Sequence, residues 1–329
     1  EMMHGAYSEL NNSDTQLFST PSIKGDTAII EYYQPVGGYE GFSLVISSII
    51  HDYRDIMNFS GNDRDRDCGT NVVCDEANGY EKPINATALL DMGASICTGT
   101  LLNNVSQDLT PYFLTANFCV AGLNANIFRF YFNYEATSCL SSTGSMGPYA
   151  YGSTLLTATS GYANSMSALL EITDDMEVDW GAYYSGWDAS NTIPMISCGV
   201  HHTDGNPKII NFDNDNATNQ GWDANNTHWG VYWDDGGTGA GAAGSGLFNN
   251  QLHLVGQLSG GPGTCGSAED LYGKFSYNFN DMKAWLDPDD TGTLILNGTY
   301  NVDFQLDVPG EFSTIQSAID YAVDGATVL

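Results

Sequence analysis

Six histidines, seven cysteines and forty acidic residues are the side chains of this 329-residue chain best able to do chemistry. Their spacing limits what they can do. His201 and His202 are adjacent in a strand-like run, so they face opposite sides and cannot easily share one metal. His228 and His253 lack cysteine or carboxylate neighbours at zinc spacing. Asp63, Asp65 and Asp67 alternate in FSGNDRDRDC, and hard oxygen ligands at alternate positions suit Ca²⁺. The full twelve-residue loop, with its glycine and closing glutamate, is missing there, so a solvated acidic linker is the preferred reading. No other cofactor is expected. Seven cysteines at disulfide-like spacing point to an oxidising compartment, with many connectivities open. Cys198 reads as a buried free thiol packing as a small hydrophobe.

The most telling stretch is Gly236–Phe248, GGTGAGAAGSGLF, read beside TGTLL near Leu101, FLTANFC ending at Cys119 and SALLEI near Leu170. Together these resemble the trypsin-like serine proteases of the bacterial lysyl endopeptidase type. Carried over by position, the nucleophilic serine falls at Ala243, the histidine at Phe118 and the aspartate at Met166. Acyl transfer by a serine triad needs a hydroxyl, an imidazole to take its proton and a carboxylate to hold the imidazole. Losing the serine or histidine alone costs roughly 10⁶ in turnover. The expectation is therefore a chain that is no enzyme, its site refilled as core. Ser245 is a poor substitute nucleophile, because no histidine replaces Phe118 and the family carries a structural serine there.

The resemblance covers roughly residues 68 to 288. It implies the disulfides Cys68–Cys265, Cys74–Cys139 and Cys97–Cys119, and leaves Cys198 without a counterpart. It places Asp270, in DLYGK, at the lysine-reading carboxylate of the specificity pocket, with Trp222 near the flanking tryptophan. The histidine stacked on that tryptophan falls at Ser259, which breaks the sandwich. Gly241 and Ala243 keep backbone N–H groups able to serve as an oxyanion hole, since such donors need no side chain. The plainer alternative makes Asp270 a leftover carboxylate in a loop with Glu269.

The elements that must hold these residues read as β. DTAIIEYY (Asp26–Tyr33), FSLVISSII (Phe42–Ile50), IFRFYFNY (Ile127–Tyr134) and LHLVGQL (Leu252–Leu258) are rich in branched and aromatic residues, and Gly, Asn and Asp turns separate them. The fold expected is all-β: a double β-barrel of chymotrypsin/trypsin-like form, preceded by a β pro-region-like piece and followed by the beginning of a parallel β-helix. The divisions are 1–62 for the pro-region-like segment, 63–288 for the protease-like domain and 289–307 for a connector. Residues 308–329 resemble the start of a right-handed parallel β-helix, with a capping helix over Gln316–Val323. The opening residues read as mid-protein, so the chain is expected to be processed or part of a longer product.

A formal charge of −31 repels nucleic acid and anionic membranes and suits a saline or calcium-rich extracellular setting. No run of eighteen apolar residues is present to span a membrane. The function expected is a catalytically inactive, secreted protease homologue serving as a structural or protein-binding module of a larger extracellular or surface protein, with protein partners or self-assembly through neighbouring domains. The alternatives are a lysine-directed endopeptidase with a non-standard site and a peptide-binding decoy using the Asp270 pocket.

Overall fold

The computed structural model describes residues 4–5, 7–8, 17–34, 36, 43–52, 68–161, 164–223, 226–266, 269–301, 305–306 and 327–328. Two large antiparallel sheets hold most of the residues of regular structure. The first contains β1 (Thr87–Asp91), β2 (Ile96–Leu102), β3 (Tyr112–Ala116), β4 (Arg129–Tyr131), β5 (Ala150–Tyr151), β6 (Ser153–Ala158) and β7 (Ser167–Ile172), in the order β5-β4-β1-β2-β3-β7-β6. All side chains of β1 and β3 are buried, so these strands read as continuous rather than alternating apolar runs. The core of this sheet gathers Leu90, Leu101, Phe113, Phe130 and Leu170, with Phe113 edge-on to Phe130 at 4.9 Å between ring centres.

The second sheet contains β8 (Trp187–Asp188), β9 (Ser197–His201), β10 (Ile209–Asp213), β11 (Thr218–Gln220), β12 (His228–Val231), β13 (Gly246–Asn249), β14 (Leu254–Gly260), β15 (Asp270–Lys274) and β16 (Ile295–Leu296). Its path runs from Thr70–Asn71 through β10-β9-β13-β14-β15-β12-β11, with β8 laid parallel on β14 and β16 antiparallel on β8. A shared core joins the sheets: Leu102, Leu114 and Leu169 from the first meet Val200, Ile210, Phe248 and Leu254 from the second. Helix α1 (Glu81–Ala86) adds Ile84 to this core. Helix α2 (Asn117–Val120) is one short turn after β3, and α3 (Phe275–Leu286) follows β15 directly and closes the core with Phe275, Phe279, Met282 and Leu286.

The all-β class is thus observed, and two of the four apolar runs become strands as read: IFRFYFNY holds β4 and LHLVGQL holds β14. The other two do not. Residues 26–33 and 43–50 form no strand; Ile29 is 87% and Val45 78% exposed, and among the described residues no strand pairs with them. A β-rich composition without a partner edge makes only extended chain. Residues 19–20 do touch the first sheet: the Ser19 amide donates to the Tyr151 hydroxyl at 2.9 Å, and Arg129 donates to the Ser19 hydroxyl and the Thr20 carbonyl. Near the other end, Gln305–Leu306 pairs in parallel with Thr327–Val328. The expected capping helix at Gln316–Val323 and the acidic triplet Asp63, Asp65 and Asp67 lie outside the described residues.

Candidate active site

The loop from Gly236 to Ser245 reaches back from the second sheet to the first. Its glycines permit the approach. Gly244 has φ +85°, and a Cβ there would collide with the Thr115 hydroxyl and the Thr98 carbonyl. Gly241 has φ +91°, and its carbonyl accepts from the Thr98 hydroxyl at 2.9 Å. The Ala243 carbonyl accepts from the Thr98 amide at 2.9 Å and lies 3.8 Å from Cys119 Sγ. Among the described residues, neither the Gly241 nor the Ala243 N–H donates to a protein acceptor.

The other two positions arrive from the first sheet. Ser167 at the start of β7 pairs with Ala116 at the end of β3, so Met166 and Asn117 adjoin, and the Asn117 amide donates to the Met166 carbonyl at 2.7 Å. Phe118 follows on α2, next to Cys119, whose disulfide with Cys97 lies under Ala243. Positions 118, 166 and 243 therefore converge on one seam between the sheets. Refilling as core is not what occurs there. Phe118 stands 47% exposed and Met166 half-buried, because α2 ends after one turn and projects residue 118 outward. The structure also holds the disulfides Cys68–Cys265 and Cys74–Cys139, while Cys198 is a buried free thiol.

At the end of β14, Gly260 and Gly261 are the points of approach for Trp222 and Asp270, the latter only 2% exposed. The Trp222 ring lies against Gly260, where an added Cβ would come within 2.9 Å of it, and Trp222 is edge-on to His228. Asp270 at the start of β15 lies against Gly261, where an added Cβ would collide with Oδ1. Its Oδ2 accepts from Trp233 Nε1 at 2.8 Å. Burial raises the Asp270 pKa to about 6, with hydrogen bonds from Trp233 and Thr238 opposing the rise. The Ser259 hydroxyl donates to the Leu271 carbonyl at 3.1 Å. Glu269 is taken by the Thr218 hydroxyl at 3.3 Å, so it does not share Asp270's surroundings.

The remaining polar candidates have structural partners. Ser245 is fully buried beside Tyr272, away from solvent and from any imidazole that hydrogen-bonds it. His201 Nδ1 meets the Thr203 hydroxyl at 2.9 Å, and His202 Nδ1 meets the Asn206 carbonyl at 3.0 Å while its ring stacks on Tyr134. His228 Nδ1 pairs with Thr227, and His253 Nε2 with Asn297 Oδ1. Cys74, Glu76 and Cys139 lie together, but their sulfurs are joined to each other and offer no thiolate for a metal. Two buried lysines carried no sequence signal. Lys208 Nζ donates to the carbonyls of Ile84 and Phe132 at 2.6 Å each, and Lys274 sits 3.9 Å over the Trp229 ring.

Two packed antiparallel sheets, with a glycine-rich loop and a short post-strand helix meeting at their seam, define a serine-protease scaffold of the trypsin-like class. The family model for the lysyl endopeptidase C-terminal domain matches residues 62–275, and the chain belongs to that family. A lysyl endopeptidase of Pseudomonas aeruginosa is 27% identical over 305 residues, a match spanning 82% of this chain and 63% of that protein's length. Among solved structures, the protease Anisep of Arthrobacter nicotinovorans matches over 61% of this chain and 95% of its own, at 13% identity and a TM-score of 0.46. An HtrA-type protease, AlgW with a tripeptide, matches over 66% of this chain and 65% of its own, at 14% identity and a TM-score of 0.44. The expectation that the chain is no enzyme is corrected by these matches: the family and the relative are both named for an endopeptidase, so membership places the chain in an enzyme class. That expectation rested on three side chains alone.

Proposed function

We propose that this chain acts on lysine-bearing peptides, holding them in the cleft of a secreted lysyl endopeptidase-type domain. The observation that carries the reading is that Trp222 lies against Gly260 and Asp270 against the adjoining Gly261. A lysine stem lying along the indole would bring its ammonium to Asp270, and the ion pair would offset the carboxylate's desolvation. The Gly241 and Ala243 amides would face the peptide carbonyl and stabilise charge developing on its oxygen. Phe118, Met166 and Ala243 supply neither nucleophile nor base, so any hydroxyl and imidazole for acyl transfer would come from other residues.

The test restores the missing groups. The variant Phe118→His, Met166→Asp, Ala243→Ser should hydrolyse a fluorogenic lysyl peptide at least a hundredfold faster than the parent and should reject the norleucyl analogue. A folded variant that cleaves both equally would refute lysine reading by this cleft, and the same substitutions combined with Asp270→Asn give the internal control.

A second reading is a protein-binding or structural module of a larger extracellular protein. It is supported by the docking of residues 19–20 on the first sheet and the parallel pairing of Gln305–Leu306 with Thr327–Val328, a pairing in keeping with the start of a β-helix after residue 308. The three disulfides suit an extracellular setting. Among the described residues no helix is long and apolar enough to cross a membrane.

A further inference from the structure

Where β9 and β10 pair, Ser197 lies directly opposite Asp213, so both side chains stand on one face about 5 Å apart at Cβ. Both residues are almost fully buried, at 3% and 2% exposure, and the Ser197 hydroxyl has no hydrogen-bond partner. Buried polar groups are seldom left so. Around Asp213, the carboxylates of Asp215 and Asp234 converge: one ligand atom from each of the three lies within 4.8 Å of the others. The backbone imposes this crowding. The Asp234 amide donates to the Phe212 carbonyl at 3.0 Å, and Asp234 Oδ2 accepts from the Asn214 amide at 2.8 Å and from Asn214 Nδ2 at 3.1 Å. The Asp215 amide donates to Asp213 Oδ1 at 3.0 Å. Among the described residues, no lysine or arginine forms an ion pair with any of the three.

We propose that Asp213, Asp215 and Asp234, with the Ser197 hydroxyl beside them, form a Ca²⁺ site. All the donors are hard oxygens, which select Ca²⁺, Mg²⁺ or Mn²⁺ over zinc. A set drawn from two strand ends and two loops has the irregular geometry that Ca²⁺ accepts and Mg²⁺ resists. Asp234 is two residues before Gly236, so the ion would fix the root of the loop carrying Gly241 and Ala243. It would thereby join the end of β10 to the cleft.

The test is calorimetric titration of the chelator-stripped full chain with CaCl₂ and, separately, MgCl₂. One Ca²⁺ should bind per chain, at least tenfold tighter than Mg²⁺, and should raise the melting temperature. Asp215 and Asp234 are exposed, so Asp215→Asn/Asp234→Asn should fold normally in chelator and bind Ca²⁺ at least tenfold more weakly. Ser197→Ala should weaken binding several-fold. Absence of Ca²⁺ binding by the parent chain, or unchanged affinity in the folded double variant, overturns the proposal. If the double variant fails to fold, Asp234→Asn alone decides by the same criterion.

Discussion

Asp270 and His201 are both buried groups that titrate, and burial moves them in opposite directions. Asp270 is raised to about 6, so between pH 4 and 6 the folded chain holds a proton that the unfolded chain releases. Its contribution to stability is present at low pH and is lost as pH rises through 6. His201 and His228 are lowered to about 4, mainly by burial, with Lys274 adding to the effect at His228. Their contribution is full above pH 6.5 and is lost as pH falls towards 4. His202 is lowered in the same sense and Asp213 is raised to about 6 like Asp270, so the readable effect is the difference between variants: in denaturant titrations from pH 6.5 to 4.5 His201→Gln should lose less stability than the parent. An equal slope would remove His201 from the account. The same Asp270 value sets the binding profile: lysyl-peptide affinity should rise from pH 5 to 7 with a midpoint that bound ammonium pulls below 6. The three disulfides were legible by resemblance. What α2 does with Phe118 was not, because outward projection depends on where a one-turn helix stops.

At the scale of elements, Lys208 is the least expected join. Its ammonium, just before β10, ties α1 through Ile84 to the first sheet through Phe132, with Glu135 at 3.5 Å. Burial lowers its pKa to about 8, while Glu135 opposes the fall. Lys208→Met should leave two buried carbonyls without a donor and destabilise by about 1–3 kcal/mol per group. Chemical denaturation measures this, and a change under 0.5 kcal/mol would show that the join is idle. Composition could not reveal the join, since the carbonyls that Lys208 meets lie 124 and 76 positions away in the chain. Strands were legible where apolar runs found partners, as β4 and β14 did. Residues 26–33 show the converse: the same composition stays extended because pairing is a tertiary property that no local run contains.

At the scale of the molecule, Cys68–Cys265 links positions 197 residues apart and fastens residue 68, near the start of the family match, to the loop after β14. On the chain-entropy account, closing so long a loop is worth about 5 kcal/mol. Cys68→Ser/Cys265→Ser should therefore lower the denaturation midpoint more than loss of Cys97–Cys119, whose separation is 22. Equal losses would place the effect in local packing instead. The all-β class was legible because strand composition and turn residues run the length of the domain. The closing helix α3 was not read as one, and its amphipathic face appears only against the core it covers.

The central claim is that the cleft reads lysine through Asp270. Calorimetric titration of the parent chain with a lysyl peptide and its norleucyl twin at pH 7.5 tests it most directly. The account predicts at least tenfold tighter binding of the lysyl peptide, a preference abolished by Asp270→Asn. Equal affinity for the two peptides, or a lysine preference that survives Asp270→Asn, would contradict it.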